Sequence, residues 1–164
     1  MHMLQDLFMN QLKDIYYAEK QIEKTLPRMS EAAAQPSLKK AFDDHLEETG
    51  NHIERLERVF EMMGEKASGE KCEAMEGIIK EGDEFIQNGK DYDPSVNDAG
   101  LIAAAQRVEH YEIAAYGTLR AFAQHLGQDQ AAELFQSTLD EEKQADHKLT
   151  SLAEGTINEK AAGN

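Results

Sequence analysis

Four long stretches of this chain carry apolar residues three and four apart, the spacing of one face of an α-helix. In the first, Leu4, Phe8, Leu12, Ile15, Ile22 and Leu26 predict a helix from about Leu4 to Ala33. Pro27 falls inside it and is expected to kink it or loosen one backbone bond. Gln35-Pro36-Ser37 breaks the run, and Pro36 is placed to open the second helix. That helix is predicted from Pro36 to Met63 on the stripe Leu38, Ala41, Phe42, Thr49, Leu56, Val59, Phe60 and Met63, with Gly64 as its stop. The third runs from Val96 or Asp98 to Leu126 and stops at Gly127; the fourth runs from Asp129 to Glu154. The polar tail from Asn158 to Asn164 is expected to fray.

The stretch from Glu65 to about residue 97 breaks the pattern. A loop leads into a shorter amphipathic helix with Cys72, Met75, Ile79, Phe85 and Ile86 on one side, and Asn88 to Pro94 reads as loop again. The tight links make the first and second helices, and the third and fourth, antiparallel neighbours. The long crossover lets the third run parallel to the second. The expectation is one all-α domain over residues 1–164, a four-helix bundle with a short extra helix in its crossover.

Several residues interrupt the apolar stripes with acid or imidazole. At about 100° per residue, Glu19 points with Phe8, Leu12, Ile15 and Leu26, and His45 with Leu38, Leu56 and Met63. Glu48 lies at the edge of that stripe. Glu112 is central on the third helix with Glu109 beside it, and Glu142 is central on the fourth with Asp146 close by. All seven lie near the middle of their helices, so antiparallel packing brings them to one level. His52 also faces inward and is a weaker candidate, and Glu23 weaker still.

A single buried carboxylate is more often paired with lysine or arginine, and a lone core histidine is more often hydrogen-bonded than ligating. Yet Lys20, Arg55, Arg58, Arg107 and Lys143 all fall off the stripes. Six crowded carboxylates cannot all stay ionised in a low-dielectric core without cations. A two-metal centre answers that need. Oxygen and imidazole donors suit iron and manganese, and zinc also fits. Tyr16 and Tyr116 border the stripes nearby, where they either orient carboxylates, act as redox-active neighbours or simply pack with their hydroxyls satisfied.

Composition narrows the function classes. The net charge of −15, with a pI of about 4.7, repels phosphate backbones and anionic lipid surfaces, so neither nucleic acid nor membrane is an expected partner. No apolar run approaches the roughly 20 residues of a membrane span. The start of the chain lacks the layout of a secretion signal, and the single Cys72 offers no internal disulfide. A cytoplasmic location is the expectation. No phosphate-binding glycine loop or nucleophile triad stands out.

The segments Asp14-Ile15-Tyr16-Tyr17-Ala18-Glu19, His45-Leu46-Glu47-Glu48-Thr49, Val108-Glu109-His110-Tyr111-Glu112-Ile113-Ala114-Ala115-Tyr116-Gly117 and Leu139-Asp140-Glu141-Glu142-Lys143 resemble the YciF/YciE-type bacterial stress proteins, which are ferritin-like and related in fold to rubrerythrin. The resemblance covers nearly the whole chain, including Cys72-Glu73-Ala74-Met75. It implies a homodimeric bundle with a carboxylate-rich dimetal site, but no settled activity. Glu19 matches the single glutamate of the family's first helix, Glu109 and Glu112 the pair on its third, and Glu142 the glutamate on its fourth. The chain departs from the usual Glu-x-x-His, because Asn51 follows Glu48 by three and Ala145 follows Glu142 by three. The cysteine-rich electron-transfer domain of rubrerythrin has no counterpart here, so a separate protein redox partner is expected. Three functions stay open: a di-iron oxidase or peroxidase-like stress protein, a non-catalytic structural or metal-binding dimer, and, ranked last for want of an obvious fifth helix, an iron-storing shell.

Overall fold

The computed structural model describes residues 3–163. Four long helices follow the apolar stripes: α1 (Leu4–Ala32), α2 (Pro36–Met62), α4 (Pro94–His125) and α5 (Asp129–Leu152), with the short α3 (Glu73–Gln87) in the crossover. Local chemistry sets the ends. Pro36 and Pro94 open α2 and α4, and Asp93 caps α4 by accepting the Ser95 backbone N–H at 2.9 Å. Gly64 and Gly127 adopt φ of 72° and 70° just past α2 and α4, a left-handed turn that other residues resist. Helix α1 runs unbroken through Pro27.

Helix α1 packs on α2 and α4, and α5 packs on α2 and α4, so the four form a ring. The Asp98 carboxylate near the start of α4 accepts the backbone N–H groups of Ala34 and Gln35, each at 2.8 Å. That contact ties the start of α4 to the turn between α1 and α2, so α4 runs parallel to α2 and antiparallel to α1. This is the ferritin-like arrangement with one long crossover. Helix α3 lies along α1 and α4, and the buried Cys72 caps it by accepting the Met75 N–H at 3.3 Å. Phe8, Leu12, Ile15, Leu56, Phe60, Leu101, Leu119 and Phe135 fill the core.

The end of the chain differs from the expected fraying. A π-helical turn, Ala153–Ile157, leads into a short helix α6, Asn158–Ala161, which packs on α4. Ile157 supplies the reason, since it is an apolar side chain buried to 2% exposure within an otherwise polar stretch. Asn164 lies outside the described residues. Among the described residues no helix is long and apolar enough to cross a membrane.

Candidate metal centre

Each long helix delivers acid or imidazole to the middle of the bundle. Glu19 on α1, His52 on α2, Glu112 on α4 and Glu142 on α5 are fully buried, while Glu109 is 2% and His45 6% exposed. Their donor atoms form two overlapping groups, each gathered within 4.8 Å. One is Glu19, His52, Glu112 and Glu142; the other is His45, Glu109, Glu112 and Glu142. Glu112 and Glu142 belong to both.

The contacts inside this cluster are close but poorly made. His52 Nδ1 lies 3.0 Å from Glu142 Oε1 and 3.3 Å from Glu19 Oε1, and His45 Nε2 lies 3.1 Å from Glu109 Oε1. None of these has the alignment of a hydrogen bond. Eight buried donor atoms are left without a partner: Glu19 Oε2, His45 Nε2, His52 Nδ1, Glu109 Oε2 and both carboxylate oxygens of Glu112 and Glu142. Thr49, fully buried between the two histidines on α2, also has an unpartnered hydroxyl. Buried polar atoms are nearly always paired, so a concentration of orphans at one point is the signature of donors meant for a cation. The oxygen and imidazole set, without thiolate, fits iron, manganese or zinc. The buried cluster can therefore hold metal.

Electrostatics point the same way. Burial, reinforced by the charges of Glu142 and Glu19, pushes the Glu109 and Glu112 carboxyls well above the usual carboxylate range. Burial works against the charged form of His52, but contacts with Glu142 and Glu19 outweigh it and push the imidazole up to about 11. His45 is raised too, its burial outweighed by the hydrogen bond to Glu48 and the charge of Glu142. Glu142 is held low despite its burial, because Glu109 and both histidines face it. Four of these shifts run the same way, favouring protons on the imidazoles and on Glu109 and Glu112 where no cation offsets the charge. Among the described residues no lysine or arginine is ion-paired with the two overlapping groups.

The other residues expected from the sequence take different places. Glu48 lies outside both groups; its carboxylate is 42% exposed and meets the outer nitrogen of His45, Nδ1, at 3.4 Å. Asp146 also lies outside, engaged by Gln106 Nε2 at 3.1 Å and His110 Nε2 at 3.2 Å. Tyr116 is buried and donates its hydroxyl to Glu19 Oε1. Tyr16 instead donates to Glu57 at 2.9 Å, at the surface. Glu23 pairs with Lys20 at 3.6 Å. His52 stands at the centre, and Glu141, not expected from the apolar stripe, holds its outer nitrogen at 2.8 Å. The i, i+7 spacing of His45 and His52, two helical turns, is the sequence signal that pairs them.

A cavity of about 440 Å³ reaches the cluster between α2 and α5. Leu26, Phe42, Ala105 and Leu149 form its apolar wall, Asp44, Glu47, Glu48 and Lys148 its polar rim, and His45 and Glu109 also line it.

Comparison with known proteins places the chain among relatives along nearly its whole length. A family model described as "Domain of unknown function (DUF892)" matches residues 3–162. Protein YciF of Escherichia coli (strain K12) is 47% identical over 162 residues, spanning 98% of this chain and 96% of that protein. The crystal structure of the E. coli stress protein YciF matches with a TM-score of 0.91 at 46% identity, covering 96% of this chain and 99% of that one. YcfI of Rhodopseudomonas palustris, whose description offers a structural role, matches with a TM-score of 0.87 at 48% identity, covering 92% and 94%. A protein from Xanthomonas campestris pv. campestris, 22% identical over 94% of each chain, shares the fold with a TM-score of 0.73.

Proposed function

The chain belongs to the DUF892 family of YciF-like proteins, and from that premise we propose that it is a ferritin-like stress protein holding two metal ions, iron by preference, with oxidase or peroxidase-like redox activity. One observation carries the reading: eight buried donor atoms without partners converge in two groups that share Glu112 and Glu142. Bound iron supplies one-electron exchange with dioxygen or peroxide. The chain's own residues do the rest. Glu112 and Glu142 would serve both ions, with Glu19 and His52 completing one position and Glu109 and His45 the other. Tyr116 steadies Glu19 through its hydroxyl, and the cavity beside His45 admits the oxidant. The bundle works as a homodimer and draws electrons from a separate protein partner.

Anaerobic titration with ferrous iron, with elemental analysis of protein purified without a metal-binding tag, tests the binding. Two ions per chain are expected. Admission of oxygen or peroxide should then consume oxidant in proportion to protein. Failure to bind ends the reading, whereas binding without consumption leaves only its metal-binding half.

A second reading has its own support. The acidic neighbours favour protons on both imidazoles, which would balance part of the acidic charge without metal, and YcfI is described in structural terms. On this reading the centre fastens a dimeric scaffold, and metal removal lowers the melting temperature while no redox assay responds.

A further inference from the structure

The two buried histidines are gripped from outside through different ring nitrogens. His52 meets Glu141 Oε2 through Nε2 at 2.8 Å and turns Nδ1 toward Glu19 and Glu142. His45 is reversed. It meets Glu48 Oε2 through Nδ1 at 3.4 Å and turns Nε2 toward Glu109 and Glu142. A neutral imidazole has one N–H and one lone pair, so the nitrogen that donates outward leaves the other free to ligate.

The two outer glutamates are held differently. Glu141 takes a two-pronged grip from Arg55, Nη1 to Oε2 at 2.6 Å and Nη2 to Oε1 at 2.8 Å, and Arg55 is braced on Thr138 Oγ1 at 3.2 Å. Such a fork fixes the plane of a carboxylate. Glu48 has no lysine or arginine partner among the described residues and lines the cavity together with His45 and Glu109. Glu19, His52, Glu112 and Glu142 line no part of that cavity and are fully buried.

Building on the two-metal reading, we propose that the two ion positions differ in kind. The position at Glu19, His52, Glu112 and Glu142 is closed, with Glu141 and Arg55 as positioning residues that present His52 through Nδ1. The position at His45, Glu109, Glu112 and Glu142 is open, with His45 ligating through Nε2 and a small exogenous donor reaching the ion from the cavity. The asymmetry assigns the tight structural role to the first ion and ligand exchange to the second.

Zinc-loaded full-length protein with nitrogen-15-labelled histidine tests the assignment without any substitution. Long-range proton–nitrogen correlations should show His52 protonated on Nε2 and His45 protonated on Nδ1. The same tautomer at both residues overturns the proposal. A cobalt titration tests the inequivalence. Glu141→Ala should weaken the first-bound ion by roughly 10- to 100-fold, and Glu141→Gln, which keeps an acceptor oxygen, should recover part of the loss. Glu48→Ala should leave the first ion unchanged. Azide should alter the visible cobalt spectrum only once the second ion is bound. Equal weakening of both ions by Glu141→Ala, or an azide response from singly loaded protein, overturns the proposal. Absence of any zinc or cobalt uptake removes the two-metal reading along with it, whereas two indistinguishable ions remove this inference alone.

Discussion

Glu112→Met should make the metal-free protein more stable and the metal-loaded protein less stable than the native chain. Glu112 is fully buried with neither carboxyl oxygen paired. Burial pushes its carboxyl well above the usual carboxylate range, and even a proton shared with Glu19 leaves one buried oxygen unmet. An unsatisfied buried polar group costs about 1–3 kcal/mol. Methionine has a similar straight shape, and volume-conserving core exchanges usually cost less than about 1.5 kcal/mol. The difference without metal then runs from a loss of about 0.5 to a gain of about 3 kcal/mol, centred on a gain of about 1 kcal/mol, or roughly 2–4 °C in melting temperature for a chain of this size. With manganese at about 1,000 times its dissociation constant, the native protein gains about 4 kcal/mol. The variant loses a ligand shared by both ions and gains little. Thermal and urea melts followed by circular dichroism, on chelator-treated protein with and without added manganese, should show the two curves exchanging order. A metal-free variant destabilised by more than about 1 kcal/mol would mean that Glu112 is satisfied within the native fold. The argument that its oxygens await a cation would then collapse.

Metal affinity should rise with pH. Glu109 and Glu112 bind protons more tightly folded than at the ordinary value of 4.5. Their contribution to metal-free stability is therefore full below about 4.5 and is lost as pH climbs through the raised values. A cation must displace those protons, so affinity moves the opposite way. Proton release measured during zinc titration in weak buffer checks this, and a pH-independent affinity contradicts it. Phe135→Ala should cost about 3–5 kcal/mol in urea melts, because the ring is buried against Phe8 at 6.1 Å and Tyr116 at 6.3 Å between centroids; a loss under about 1 kcal/mol would show that the ring is not needed there. Gly100→Ala puts a methyl carbon 2.3 Å from the Phe85 ring, which must swing away. Alanine gains about 1 kcal/mol in helix propensity at that position, so the melting temperature should move little while protease cuts the crossover faster. Unchanged cleavage would show that the ring does not hold α3 down.

The helices were legible because their stripes are continuous and their stops are chemical. Gly64 and Gly127 end α2 and α4 with the positive φ that glycine tolerates, and Pro36 opens α2. The inward direction of Glu19, Glu112 and Glu142 followed from angle alone, because they lie mid-stripe. Angle says less at a stripe's edge, where a long side chain chooses its own side by rotamer. Glu48 turns to solvent and the outer face of His45, and Asp146 is drawn to Gln106 and His110. Glu141 has no pattern of its own, since its place depends on Arg55 and His52 arriving from α2. Ile157 is one apolar residue in a polar tail, too little signal to indicate that α6 packs back on α4.

The missing Glu-x-x-His motif has a structural counterpart in α2. That motif draws one histidine from each of two helices and sets it one turn from a glutamate on its own helix. Here α2 supplies both histidines, seven residues apart, which is nearly two full turns and about 10 Å of rise. Their rings point to the same side with centroids 6.3 Å apart. Antiparallel α1 then sets Glu19 level with His52, while Glu109, one turn before Glu112 on α4, falls level with His45. Glu112 and Glu142 lie between the two levels and serve both. The two donor groups are thus stacked along α2, one above the other. Moving His52 by a single residue, rather than removing it, would therefore be the most specific way to dismantle one donor group and leave its neighbour standing.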